Sequence, residues 1–203
     1  YYLRNTKNLL MDSPVSMTTG FSSYLMNVGQ LRNQGVELEI NSTNFKTKDF
    51  EWKTTFNLSH NTNKVVNLDG DQTEIVSGTQ IHKIGHSYRT FYMIEFAGIN
   101  PENGNPQFYK NDLLEDGSYS KEITEKASEA KSIMLDKHAE PNVTGGLYNS
   151  FRYKWFDLSF LFNYQFGGWS YDTWAQKTEH GGYDMEANIP TYYADSWKKP
   201  GDV

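Results

Sequence analysis

His82 and His86 stand four residues apart, the spacing at which two imidazoles on one helical turn can share a metal ion. Gly85 interrupts the segment and its surroundings favour β-structure, so no metal site is expected there. Asn67, Asp69 and Asp71, in the run NLDGD, offer hard oxygen donors at alternate positions, a weak calcium pattern. The bidentate glutamate of an EF-hand loop is missing downstream, and a solvated turn is the simpler reading. Glu37 and Glu39 form an acidic pair, but two carboxylates on one strand face read as the lining of a water-filled space rather than a glycosidase pair across a cleft. No nucleophile elbow, phosphate-binding loop or zinc signature is present. Neither enzymatic activity nor a cofactor is expected.

A second set of residues has the chemistry of contact rather than reaction. Trp169, Tyr171, Trp174, Tyr183, Tyr192, Tyr193 and Trp197 crowd the last third of the chain among Asp, Asn and Gly. Flat rings stack on sugar faces while neighbouring polar groups hydrogen-bond to hydroxyls. The same rings would also serve to pack loops together or to meet a protein partner.

The elements that hold these loops are strands. From Phe156 to Phe166 every second residue is large and apolar, namely Phe156, Leu158, Phe160, Phe162, Tyr164 and Phe166, and four of the five residues between are polar. The run is eleven residues long, and a tilted strand needs roughly 9 to 11 to cross the hydrocarbon layer of a membrane. Leu147, Phe151 and Tyr153 repeat the alternation more weakly, with Lys154 and Trp155 as a short turn between the two strands. Val36, Leu38 and Ile40 begin a similar pattern, answered by Trp52, Phe56 and Leu58 after a polar turn. The expected wall strands are about 35–43, 50–60, 144–153 and 155–167, with long excursions at about 5–30, 61–141 and 168–203. Short turns at one end and long loops at the other are the signature of a membrane barrel. Trp52, Tyr153 and Trp155 belong at the lipid boundary, where rings with a polar edge are favoured. Four strands cannot close a barrel, so the sequence reads as a piece of a larger one.

Within the middle excursion, Thr90 to Phe96 has strong β-propensity and NPENGNP at 100–106 is saturated with turn formers, predicting a hairpin to Gln107–Lys110, either projecting or in the wall. The spacing of Ile123, Ala127, Ala130 and Met134 predicts a helix over 120–136.

Composition agrees with this class. No apolar run is long enough for a transmembrane helix. A mean hydropathy of -0.72 does not count against a barrel, whose lumen residues and loops are polar. Fourteen Tyr, 12 Phe and 5 Trp in a chain only 37% hydrophobic fit aromatic girdles or a carbohydrate-binding surface. The net charge of -6 argues against a nucleic-acid partner. The absence of cysteine decides little. The opening YYLRNTKN shows no secretory leader, as in a mature chain or a fragment. A soluble, secreted β-sandwich that binds glycan through its aromatic loops is the alternative reading of the same strands.

The order of motifs resembles the C-terminal barrel region of SusC/RagA-like TonB-linked outer-membrane receptors. The matching stretches are YYLRNTKNLLM at the start, NVGQLRNQGVELEI at 27–40, FEWKTTFNLSHNTNKV at 50–65, AGINPENGNPQFY at 97–109, PNVTGGLYNSFRYKWFDLSFLFNYQFGG at 141–168 and DSWKKPGDV at 195–203. The resemblance implies an all-β antiparallel barrel of about 22 strands with a plugged lumen, placed in the outer membrane and energised through TonB. It implies a SusD-like surface lipoprotein as partner and an oligosaccharide, or in some members a peptide, as cargo. The plug, the TonB-binding segment and most of the strands lie outside the matched region.

Overall fold

Alternating aromatics at 156–166 do form a strand, and its neighbours turn out to be longer than their apolar pattern. The computed structural model describes the chain apart from residues 15–17, 19, 21, 22, 28, 69, 180–185, 187 and 203. The strands are β1 (Tyr2–Lys7), β2 (Leu10–Pro14), β3 (Ser23–Asn27), β4 (Gly29–Lys46), β5 (Phe50–Leu68), β6 (Glu74–Ser77), β7 (Gln80–Lys83) and β8 (Thr90–Met93). They continue with β9 (Phe96–Ile99), β10 (Pro106–Tyr109), β11 (Ile123–Thr124), β12 (Ile133–His138), β13 (Pro141–Tyr153) and β14 (Phe156–Gly167). One α-helix among the described residues, the short α1 (Thr173–Thr178), follows. The chain divides into two units, Tyr1–Phe91 with Asp136–Trp169, and Tyr92–Leu135 with Ser170–Val203.

The first unit is built on a five-stranded antiparallel sheet in the order β1-β4-β5-β13-β14. The expected wall strands at 35–43, 50–60 and 144–153 extend to Gly29–Lys46, Phe50–Leu68 and Pro141–Tyr153. The stretch expected as a loop over 5–30 contains the end of β1 and the β2–β3 hairpin. These extensions escape the apolar pattern because both their faces are polar: Arg32, Asn33 and Gln34 pair with Lys64, Asn63 and Thr62. Backbone pairing, which a sequence does not display, carries the strand onward.

At one end the turns are tight. Thr47 donates its N–H to Phe50 O at 2.7 Å, closing β4 to β5. Lys154 sits at φ 54 in the β13–β14 turn and donates its N–H to Asp49 O at 2.7 Å, tying the two turns together. At the other end β13 stops pairing at Val143↔His60, leaving that edge of β5 open while β4 continues along its other side. An open strand edge needs a partner, and the 85–88 segment provides one. Val65 and His86 are joined by N–H···O at 2.9 Å, Gly85 donates to Val65 O at 2.8 Å, and Tyr88 donates its N–H to Asn63 Oδ1 at 2.6 Å. Below that cap Val65, Leu68 and Ile75 are buried, with Leu9, Leu31, Ile84 and Tyr88 packed around them.

The second unit holds a small sheet, β11-β10-β9. Its β9–β10 hairpin turns through NPENGNP, with Asn100 N–H donating to Asn105 O at 2.8 Å. The partner of β10 is thus Phe96–Ile99 rather than Thr90–Phe96, and the hairpin belongs to a sheet separate from the five-stranded one. The helix expected over 120–136 does not form. In its place are β11, a 3-10 turn at Ala127–Glu129 and the start of β12. Ile123 is exposed and Ile133 buried, so the helical spacing of the first with Met134 was coincidental.

Candidate functional site

The wall sheet is two-faced. Cross-strand register aligns Ile40, Phe56, Leu147 and Phe162 in one row, and Leu38, Leu58, Gly145 and Tyr164 in the next. Val36, His60, Val143 and Phe166 form the row beyond, while Trp52, Phe151 and Leu158 lie toward the tight turns. Every residue expected to face lipid therefore falls on one side: Val36, Leu38, Ile40, Trp52, Phe56, Leu58, Phe156, Leu158, Phe160, Phe162, Tyr164 and Phe166. The rings pack in series, Trp52 on Phe151 at 5.5 Å, Phe151 on Phe160 at 5.9 Å and Phe160 on Phe162 at 5.3 Å.

A polar row, Ser42, Thr54 and Asn149, interrupts this face. Asn149 is 7% exposed, and its Oδ1 accepts both the Trp52 indole N–H at 3.0 Å and the Thr54 hydroxyl at 2.7 Å. Satisfying donors within the sheet removes the several kcal/mol that a bare polar group costs in hydrocarbon. Asn149 is not singled out by its place in the sequence; its signal is Trp52 and Thr54, two donors two residues apart on the apolar face of β5. Tyr164 was expected on this face, but its second function was not. It lies over Gly145 and donates its hydroxyl to Asn57 O at 2.7 Å, filling the gap that the glycine leaves.

The opposite face is polar. Glu39 accepts from Asn41 Nδ2 at 2.7 Å, Thr55 donates to Asn41 Oδ1 at 2.7 Å, and Tyr2, lying over Gly35, donates to Asn61 Oδ1 at 2.8 Å. Next to the tight turns, Lys46, Glu51, Arg152 and Asp157 alternate in charge along one cross-strand row. Glu51 gathers Lys46 at 3.4 Å, Lys53 at 3.1 Å and Arg152 at 3.0 Å. Beside it lies a cavity of about 300 Å³ lined by Lys53, Ser150, Arg152 and Asp157 among others.

In the second unit the loops are tied by side chains. Glu125 accepts from Asn105 at 2.8 Å, Asn100 at 2.5 Å and Asn103 at 3.1 Å, and these amides hold its carboxyl below the usual range. Tyr193 and Trp197 line a cleft of about 610 Å³ with Phe96, Ile99, Glu179 and Asp195. The Trp197 indole N–H donates to Pro101 O at 3.0 Å, so that ring also anchors the hairpin turn. Tyr192 is bound through its hydroxyl to Glu179, which pushes the phenol up. Trp174 lies in the first turn of α1, where Asp172 caps the Trp174 and Ala175 N–H groups, and is 75% exposed. Tyr171 and Trp169 are exposed, the latter in the first unit beneath Lys137 Nζ at 4.1 Å. Tyr183 lies outside the described residues, as does Asp69 of the calcium pattern. Asn67 pairs with Gln30 at the end of β5, and Asp71 is exposed in the turn. His82 is buried in β7, stacked on Tyr88 at 4.7 Å, while His86 is exposed.

No protein-family model matches the chain. The TonB-dependent receptor P3 of Formosa agariphila is 34% identical over 183 residues, covering 83% of this chain and 18% of that protein. TonB-dependent receptor SusC of Bacteroides thetaiotaomicron is 28% identical over 174 residues, covering 78% of this chain and 16% of its own length. The solved structure of the RagAB peptide transporter superposes with a TM-score of 0.83 at 28% identity, across 99% of this chain and 23% of that one. The chain belongs to the SusC-like TonB-dependent receptors.

These receptors are outer-membrane β-barrels, and the five-stranded sheet is an open run of such a wall. Receptor membership replaces the alternative of a soluble glycan-binding sandwich. The chain spans less than a quarter of the length of the relatives it matches, 18% of the first. In a SusC-like receptor the long excursions are the parts free to differ between members, because they are released from the register that fixes the wall.

Proposed function

We propose that this chain supplies wall strands and outer loops to an importer that takes a nutrient across the outer membrane, driven through TonB and working with a SusD-like surface lipoprotein. The cargo in this reading is an oligosaccharide. The observation that carries it is the division of four adjacent strands into an aromatic face and a hydrogen-bonded polar face, in a chain of this receptor family. The aromatic face meets lipid, the polar face lines the channel, and the chain performs no chemistry. Tyr193 and Trp197, beside Glu179 and Asp195, form the cleft through which the loops touch cargo or partner; Tyr171, Trp174 and Tyr192 contribute from other loops of the same unit.

A peptide cargo is the second reading, favoured by the likeness to the RagAB peptide transporter and by the two carboxylates in the cleft, which suit a cationic terminus better than a neutral sugar. Deleting the full-length gene and growing the strain on single glycans or on peptides as sole nutrient tests both. Growth lost on a glycan and restored by the intact gene supports the first reading; loss on peptides alone selects the second. Growth unchanged on all of them, or uptake that persists without TonB, rejects import by this receptor.

A further inference from the structure

We infer that the outward face of β4 and β5, just beyond the apolar band, carries a binding site for an anionic, phosphate-bearing lipid headgroup, formed by Arg32 and Lys64. The inference rests on the reading that the aromatic face meets lipid. Alternation keeps Arg32 and Gln34 on the face of Val36, and Lys64 and Thr62 on the face of His60, with Arg32↔Lys64, Gln34↔Thr62 and Val36↔His60 in direct register. Phe50 to His60 spans the apolar band, and its ten steps of about 3.3 Å at a tilt near 40° rise roughly 25 Å. Arg32 and Lys64 stand four residues further on, roughly 10 Å above the edge of the band, within reach of the headgroup layer for side chains this long.

The chemistry at that height suits a phosphate. Arg32, Gln34, Thr62, Asn63 and Lys64 line a cleft of about 190 Å³. Both cations are exposed, and among the described residues neither has a carboxylate within ion-pair distance. Arg32 is steadied instead by Asn5, whose Oδ1 accepts from Nε at 3.0 Å, leaving the terminal guanidinium nitrogens to form a fork for two phosphate oxygens. Asn5 lies opposite Arg32 on β1, so the row Asn5–Arg32–Lys64 holds donors and no acid. Near the tight turns, by contrast, Lys46, Lys53 and Arg152 all meet Glu51.

The test uses the full-length receptor extracted in mild detergent and exposed to equal amounts of phosphatidylglycerol and phosphatidylcholine, with retained lipid counted by native mass spectrometry. Wild type should retain phosphatidylglycerol in preference. Arg32→Gln with Lys64→Gln should lower that retention roughly tenfold, Arg32→Lys with Lys64→Arg should largely preserve it, and Arg4→Gln, at similar height on the opposite face, should leave it unchanged. Inorganic phosphate should not displace the lipid. Retention unaffected by the double Gln variant overturns the site, as does full displacement by inorganic phosphate, which would mark a site for free anions. Leu38→Cys separates the two readings: labelling by a lipid-phase reagent with unchanged retention refutes only the headgroup site, whereas no labelling refutes the lipid-facing sheet as well.

Discussion

Trp52 donates its indole N–H to Asn149 Oδ1 at 3.0 Å, joining two neighbouring strands through residues 97 apart in sequence. The Thr54 hydroxyl converges on the same oxygen. On a face of rings, this acceptor satisfies two donors that would otherwise stand bare. Asn149→Ala should cost about 1–3 kcal/mol, read as a lower urea midpoint for folding of the full-length receptor into lipid vesicles. Trp52→Phe with Thr54→Val in the same background should recover part of the loss, since both orphaned donors are then gone. An unchanged midpoint in Asn149→Ala would remove the polar bridge from the account.

Phe160 and Leu161 are neighbours on opposite faces of β14. Phe160→Arg puts a charge toward the middle of the apolar band, at a cost of about 2–4 kcal/mol. Leu161→Arg adds the same charge beside Ser159 and Asn163 on the polar face and should be tolerated. Heat-modifiable migration of the receptor on gels reports assembly, and the two variants should differ clearly.

Gly145 is required by close approach rather than by its backbone angles. A side chain there meets both the Tyr164 ring and the Asn57 carbonyl. Gly145→Val should therefore lower the assembled fraction, by about 1–3 kcal/mol of overpacking. Tyr164→Ala should not rescue it, because the Asn57 carbonyl belongs to the backbone of β5 and stays in place. Full rescue would mean that the ring alone sets the requirement.

His82 gives the outer part of the first unit a pH dependence. Burial, with a smaller effect from the nearby Arg89 charge, lowers it from 6.5 to about 4. The unfolded side chain takes up its proton near pH 6.5 and the folded one only near 4, so the stability from burying neutral His82 is complete above that upper value and is lost as pH falls through the interval. The loss should amount to about 1–2 kcal/mol after allowance for solvent screening. Amide exchange across β6 and β7, corrected for intrinsic rates, should show greater opening at pH 4.5 than at pH 7. His82→Phe, which keeps a ring against Tyr88, should abolish the difference.

What the sequence displayed was the part of each strand that has one apolar face. Phe156 to Phe166 could be read directly because hydrophobicity alternates there. The upper halves of β4 and β5 could not, since Arg32 and Lys64 on one face and Asn33 and Asn63 on the other give no contrast. Their strand character comes from pairing and from the His86 cap, both non-local. The failed helix at 120–136 shows the reverse case, a periodic pattern without a face to bury: Ile123 is exposed, and Thr124 is buried in its place, donating to Glu129. Of the contact residues, the crowding of loop aromatics was visible. The convergence of Tyr193 and Trp197 on one cleft, and the use of Trp197 as an anchor for Pro101, depended on folding that residue types alone do not specify.

The central claim is that this sheet separates lipid from water, and Phe162 and Asn163 test it most directly. Each is changed singly to cysteine in an otherwise cysteine-free full-length receptor in membranes, then offered a lipid-phase thiol reagent and a charged aqueous one. Phe162→Cys should react only with the lipid-phase reagent, while Asn163→Cys should be protected from it and reached by the aqueous one. Aqueous labelling at both positions, or the reverse assignment, would contradict that claim.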